Sequence, residues 1–222
     1  MNELGAVVKM FKVENSFFKN QCYLIYNNRT GILIDPAWDY DLINGFIQRE
    51  RIKIKAVLLT HSHKDHTDLA TKFSLCNDIP VYISNVEIES YDIKIPNLRK
   101  VFHLKKMVID GFNIMPILTP GHTLGSTCYL LGENLFSGDT VFIEGVGICN
   151  KQNASKLYDS INFLKKYLKE NTLFWPGHSF GETPGKDFNY LLRHNIYFNF
   201  TSKKDFIAFR TRENKPDPLV FK

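Results

Sequence analysis

The residues of this chain best equipped for chemistry crowd into Thr60-His61-Ser62-His63-Lys64-Asp65-His66. Three imidazoles and a carboxylate in one short segment are metal-ligand types, and burying them unpaired would be costly. The apolar run Ala56 to Leu59, after Ile52 and Ile54, reads as a buried strand ending at Thr60. Strand alternation puts His61 and His63 on one side, with Asp65 following as the chain turns. His66 comes from the next turn and points another way. One segment can therefore serve two neighbouring metal positions.

The same arrangement recurs further on: a strand ends, a Gly or Pro turn follows, and a His or Asp appears. Residues 112–118 run into Pro120-Gly121-His122, residues 134–136 into Ser137-Gly138-Asp139, and residues 172–175 into Pro176-Gly177-His178. Ligands at strand ends share one edge of a sheet, where loops build sites. His61, His63, His66, His122 and His178 with Asp65 and Asp139 are more donors than one tetrahedral ion uses. Two ions about 3.5–4 Å apart could share them, bridged by a carboxylate, and lower the pKa of a bridging water toward ~7. Imidazole with carboxylate suits zinc, and also iron or manganese. No cysteine takes part. Cys22, Cys76, Cys128 and Cys149 are scattered, so buried free thiols in a reducing compartment are expected.

These ligands need a framework. Residues 6–13, 21–26 and 31–34 read as strands, with Asn27-Asn28-Arg29-Thr30 as the turn between the last two. Ile34 leads into Asp35, which either caps the next turn or orients a ligand histidine. Residues 41–52 have helical apolar spacing, 67–76 look helical, and 81–84 form a strand. Residues 85–106 read as irregular and polar, with His103 on the surface. Residues 126–131 are a strand, 154–169 an amphipathic helix with Leu157, Ile161, Leu164 and Leu168 on one face, and 188–197 another helix. A basic tail follows with Lys203, Lys204, Arg210 and Arg212. Strands in two groups with helices nearby point to a layered α/β protein.

At 222 residues, 44% hydrophobic and 23% charged, the chain is an ordinary globular mixture long enough for one sizeable core. The 18 Phe and 10 Tyr favour a well-buried interior. A net charge of +5 suits an acidic partner or, more simply, a lysine-rich solvated surface. The N-terminus has no apolar signal core and no run spans a bilayer, so a cytoplasmic location is expected.

The full set, His-x-His-x-Asp-His, a distant His after Pro-Gly, then Gly-Asp-Thr and Pro-Gly-His, resembles the metallo-β-lactamase superfamily from Gln21 to about Pro184. The resemblance implies a four-layer αββα sandwich over residues 1–184, with residues 185–222 as a short helical extension packed on the same domain. It implies that His61, His63 and His122 bind one metal, that Asp65, His66 and His178 bind a second, that Asp139 bridges, and that Asp35 steadies a ligand. Asp65 and Asp139 match the glyoxalase II-like branch, whereas the commonest true β-lactamases place a Cys in the later position. Residues 141–149 lack the basic residues a glutathione site would want, and the part after His178 is too short for glyoxalase II's C-terminal domain. A narrower likeness lies in Asp35-Pro36-Ala37-Trp38-Asp39, residues 142–149, Gly177-His178-Ser179-Phe180-Gly181, Asn195-Ile196-Tyr197-Phe198 and Phe206-Ile207-Ala208-Phe209-Arg210. These resemble the stand-alone hydrolases encoded beside trans-acyltransferase polyketide synthases.

That likeness implies an acyl thioester substrate, carried on an acyl carrier protein or pantetheine, cleaved by a metal-bridging hydroxide. Asp65 or a metal-bound water is the candidate for handling the remaining proton. Trp38, Phe142, Glu144, Ile148, Ser179 and Phe180 neighbour the ligand loops and are expected to line the substrate pocket. Three rival readings remain: an S-acyl-glutathione hydrolase, a phosphodiesterase on the same two metals, and a module that holds metal without turnover. Neither nucleic acid nor membrane is expected as a partner. Ser16-Phe17-Phe18-Lys19 matches Ser-x-x-Lys without its companion motifs, and Gly145-Val146-Gly147 lacks the third Gly of a dinucleotide loop. His194 reads as structural or partner-facing.

Overall fold

The computed structural model describes residues 5–15 and 19–213, so Ser16 to Phe18 of the Ser-x-x-Lys match lie outside it. Twelve strands form two six-stranded sheets. The first holds β1 (Val7–Glu14), β2 (Lys19–Tyr26), β3 (Thr30–Ile34), β4 (Lys53–Leu58), β5 (Val81–Ser84) and β6 (Leu98–Val101), side by side in that order. β1, β2 and β3 pair antiparallel, and β3 through β6 pair parallel. The second holds β7 (Met107–Ile109), β8 (Phe112–Leu118), β9 (Thr127–Leu131), β10 (Asn134–Gly138), β11 (Leu173–Pro176) and β12 (Lys186–Asp187). Here only β10 and β11 are parallel, joined through the helix α5 (Lys151–Tyr167).

The strands are apolar on both faces because both faces are covered. Along β2, β3 and β4, Tyr23, Ile25, Ile32, Ile34, Ala56 and Leu58 point between the sheets, where they meet Phe112, Ile114, Tyr129 and Phe136. The alternate residues Leu24, Leu33 and Val57 face outward. There they meet Ile43 and Ile47 of α1 (Tyr40–Arg49) and Phe73 of α3 (Ala70–Asn77). On the far side, Ala154, Leu157, Ile161 and Leu164 of α5 cover the second sheet. They are joined by α6 (Phe188–His194) through Phe188 and Leu191, and by α7 (Lys203–Arg210) through Phe206. The result is the four-layer αββα sandwich. The elements between Gly185 and Arg210 pack on the second sheet: β12 pairs with β11, and α6 and α7 share the α5 core.

Three local expectations are corrected. The predicted helix 67–76 is two helices, α2 (Lys64–Thr67) and α3, with Asp68 and Leu69 between them. Residues 85–106 are not irregular: they contain α4 (Asn85–Tyr91) and β6. The helix expected over 188–197 ends at His194, and Ile196–Phe198 is a 3-10 turn. Among the described residues no helix is long and apolar enough to cross a membrane.

Candidate metal centre

Parallel pairing brings the ends of β3 and β4, and of β10 and β11, to a common edge. Asp35 follows β3, His61 and His63 follow β4, Asp139 follows β10, and His178 follows β11. His122 follows β8 at the same edge. Asp65 and His66 sit on α2. β2 runs antiparallel to β3, so its beginning, Lys19 to Gln21, lies there too, and Gln21 N donates to Gly177 O at 2.8 Å. Close approach at this edge needs glycine. Gly138 has φ +49°, and a Cβ there would meet the Thr60 Cβ at 2.6 Å. A Cβ on Gly177 would collide with the His66 ring and Asp139.

The seven predicted side chains are brought together. His61, His63 and His122 form one group and Asp65, His66 and His178 a second, the donor atoms within each lying inside 4.8 Å of one another. Asp139 stands between the groups: Oδ2 is 3.5 Å from His122 Nε2 and 3.3 Å from His178 Nε2, while Oδ1 is 3.3 Å from His66 Nε2.

The far nitrogen of four imidazoles is tied down. His61 Nδ1 is 3.0 Å from Thr60 Oγ1, whose hydroxyl donates to Asp35 Oδ2 at 2.6 Å. His66 Nδ1 is 2.9 Å from the same Asp35 oxygen, and Asp35 Oδ1 accepts from Thr60 N at 2.8 Å. His122 Nδ1 donates to Ile148 O at 2.7 Å, and His178 Nδ1 to Lys19 O at 2.8 Å. Each Nε2 is thereby aimed inward, an orientation typical of metal-ligating histidines.

Two features test whether these residues suit a cation. First, His63 Nδ1 is 3.1 Å from His61 Nε2 and 2.9 Å from His122 Nε2. Burial first, and neighbouring imidazoles next, push His61 well below its ordinary 6.5, and burial also lowers His122. Neutral rings with Nδ1 as donor leave lone pairs converging, more than one shared proton can satisfy. Second, His66 Nε2 and Asp139 Oδ1 are buried without a hydrogen bond. Burial opposes charge on both, yet Asp139 and Asp35 drive His66 upward, and His178 and His66 hold Asp139 well below the usual carboxylate range. The surrounding carboxylates favour a positive charge at this point, which a bound cation would supply. Asp65 is likewise held down to about 2, burial being outweighed chiefly by the hydrogen bond to His178 and the charge of His66. The cluster fits metal binding.

Three supports have no role assigned from the sequence. Asn20 Nδ2 donates to Asp65 O at 2.6 Å and Oδ2 at 3.2 Å. Glu87, fully buried on α4, accepts from Ser62 N (2.8 Å), Ser62 Oγ (2.7 Å), Thr123 Oγ1 (2.9 Å) and Gly125 N (2.8 Å). It ties the loop of His61 and His63 to the loop of His122. Its signal was present: Ser84 and Glu87 have capping-box spacing, and Ser84 Oγ accepts from Glu87 N. Asn195, also buried, donates to Phe142 O and Gly145 O at 3.0 and 2.9 Å, holding the loop after Asp139 in shape.

A cavity of about 670 Å³ opens from the cluster. Phe142, Glu144, Ile148 and Phe180 line it, joined by Ile196 and Phe209 from the C-terminal segment. Trp38 and Ser179 are corrections. The left-handed Trp38 backbone (φ +61°) accompanies packing of its ring against the core under α1 and α3. Ser179 accepts a hydrogen bond from Gln21 Nε2, outside the cavity lining. His103 accepts from Leu118 N, and His194 stacks on Tyr190, both away from the cluster.

This sandwich, with its ligands gathered at one sheet edge, defines a metallohydrolase architecture. Residues 16–178 match the metallo-beta-lactamase superfamily model, and the chain belongs to that superfamily, among its hydrolases. It is 38% identical over 219 residues to the probable polyketide biosynthesis zinc-dependent hydrolase BaeB of Bacillus velezensis, covering 97% of each chain. It is 37% identical to PksB of Bacillus subtilis, of the same description, with the same coverage. Hydroxyacylglutathione hydrolases also match, that of Buchnera aphidicola at 35% over 60% of its own length. The crystal structure of ETHE1 from Myxococcus xanthus superimposes with a TM-score of 0.81 at 27% identity, over 96% of this chain and 94% of that one.

Proposed function

We propose that this chain cleaves acyl thioesters carried on an acyl carrier protein or a pantetheine-type thiol in polyketide biosynthesis. His61, His63 and His122 would hold one zinc, Asp65, His66 and His178 a second, with Asp139 shared; iron or manganese suits the same donors. Bound ions would polarise the carbonyl and lower the pKa of a water toward ~7. The protein's own residues do the rest. Asp35 and Glu87 fix the ligand loops before substrate arrives. Phe142, Ile148 and Phe180 exclude water from the reacting thioester. Asp65, ionised and oriented by Asn20, accepts the proton that attack by water releases. The thiolate leaves as a weak base and needs little acid assistance. In this reading residues 1–184 act as the hydrolase domain and the extension 185–222 belongs to the same unit, with Ile196, Phe209, Arg210 and Arg212 completing the cavity.

The observation that carries this reading is the largely apolar cavity opening directly from the ligand cluster, of a size to admit an acyl chain. The full-length similarity to BaeB and PksB supports the pathway context. Glutathione thioesters are the second reading, favoured by the presence of Arg210 and Arg212 in the cavity wall. Residues 141–149 bring no basic side chain, but the C-terminal segment does.

The deciding experiment is thiol release by zinc-loaded protein from one short acyl group on glutathione, on pantetheine or coenzyme A, and on an acyl carrier protein. Release from the last two and not the first is expected. Preference for glutathione overturns the polyketide reading. Silence on all three with metal bound overturns thioester cleavage and turns attention to phosphodiesters or to a non-catalytic role.

A further inference from the structure

Two guanidinium groups stand in the cavity wall, and among the described residues neither pairs with a carboxylate. Arg210 is 5% exposed, and its Nε and Nη2 both donate to Gly147 O, at 3.1 and 2.7 Å. Arg212 is half-buried, with its guanidinium 3.7 Å over the Phe209 ring and one nitrogen donating to Phe209 O. A nearly buried cation without a counter-charge is expensive, and two carbonyl contacts recover only part of the cost. Stacking on Phe209 holds the Arg212 plane, and its other N–H groups have no carboxylate partner among the described residues. Phe142, Val146, Ile148 and Ile196 give the cavity an apolar wall, and Asn150 and Asn153 add neutral amides to it. Asp65 and Asp139 are engaged within the ligand cluster, and Glu144 accepts from Tyr190 Oη at 2.9 Å. An arginine fork in an apolar cavity recognises an oxyanion.

We propose that Arg212, together with Arg210, forms an anion subsite that selects substrates bearing a phosphate or carboxylate in addition to the reacting carbonyl. The proposal rests on the cavity being the substrate site. It adds that the cavity recognises charge as well as apolar surface. The anion can lie on the thiol arm, as a phosphate, or on the acyl group, as a carboxylate, and the two are separable by experiment.

The test uses zinc-loaded full-length protein and non-hydrolysable thioether analogues in a two-by-two set: pantetheine or phosphopantetheine, each carrying a butyl or a carboxypropyl chain. Dissociation constants are measured by calorimetry for the parent, Arg212→Gln and Arg212→Lys. One anionic feature is expected to tighten binding about tenfold, the low end for a charge-assisted hydrogen bond. Arg212→Gln should erase that preference and Arg212→Lys restore part of it, the preference being taken in each variant as the ratio of anionic to neutral analogue. The phosphate and carboxylate arms tell which end of the substrate carries the anion. Absence of any preference in the parent overturns the subsite. So does a preference that survives in Arg212→Gln, since the anion would then be reading the metals. Binding needs no turnover, so thioester cleavage can fail in the hydrolysis assay while the subsite stands, and the reverse.

Discussion

Asp35 Oδ2 lies 2.9 Å from His66 Nδ1, with His66 fully buried and Asp35 only 3% exposed. The same carboxylate binds both the amide and the hydroxyl of Thr60, whose hydroxyl meets His61. One acid thus orients a histidine in each ligand group. Asp35→Asn keeps the shape and removes the charge. It should weaken the tighter-held metal about 10–100-fold, the usual effect of losing such a partner, as read by chelator competition. Unchanged affinity for both equivalents would refute the role.

Asp139 faces the Nε2 atoms of both groups, His122 in one and His66 and His178 in the other. Asp139→Asn should lose bound metal, read by elemental analysis, together with hydrolysis. A variant that retained both would sink the shared-ligand assignment.

Glu87 holds two ligand loops through four hydrogen bonds and is fully buried. Glu87→Gln turns one acceptor into a donor facing other donors. A loss of about 1–3 kcal/mol in urea unfolding of metal-free protein is expected. A change below about 0.5 kcal/mol would show that the loops stay joined without it.

Metal-free protein should be less stable toward alkaline pH. Burial opposes charge on His178, but Asp139 and then Asp65 outweigh it and raise the group from 6.5 to about 9. A proton held more tightly in the folded state stabilises fully below about pH 6.5, and the gain is lost as pH rises through about 9. His66 shifts in the same direction. His61 and His122 shift downward, yet above about pH 6.5 they are neutral folded or unfolded, so they do not cancel the trend. Melting temperature should fall across this window without metal and stay flatter with zinc. A flat profile for the metal-free protein would contradict the charge arrangement.

The thiols should divide by burial. Cys76 is exposed, whereas burial pushes the Cys22 thiol far upward and Cys128 up to about 11. A thiol-specific reagent should label Cys76 in native protein and reach Cys22 and Cys128 only on unfolding. Fast labelling of either buried thiol would show that the sheets open locally.

Much of this protein was legible from local pattern. Apolar runs ending in Gly or Pro turns marked the strands, and the predicted ligands lie in the loops past strand ends, except Asp65 and His66, which lie on the short helix α2. The reason is physical: strand period and turn chemistry are encoded within a few residues. Pairing of α4 with the ligand loops was not legible, because the hydrogen bonds of Glu87 join residues 25 to 38 positions apart. The contact of Asn20 with Asp65 spans 45 positions. Trp38 and Ser179 show the converse error: nearness in sequence to a ligand placed them at the cavity, whereas backbone direction sent one into the core and the other to Gln21. The sequence by itself determined which atoms could bind metal and that they end strands. Only the tertiary structure decided which carboxylate clamps which loop, and that the C-terminal helices bring Arg210 and Arg212 into the cavity wall. That choice depends on packing two sheets and their outer helices together, which no short stretch of chain encodes.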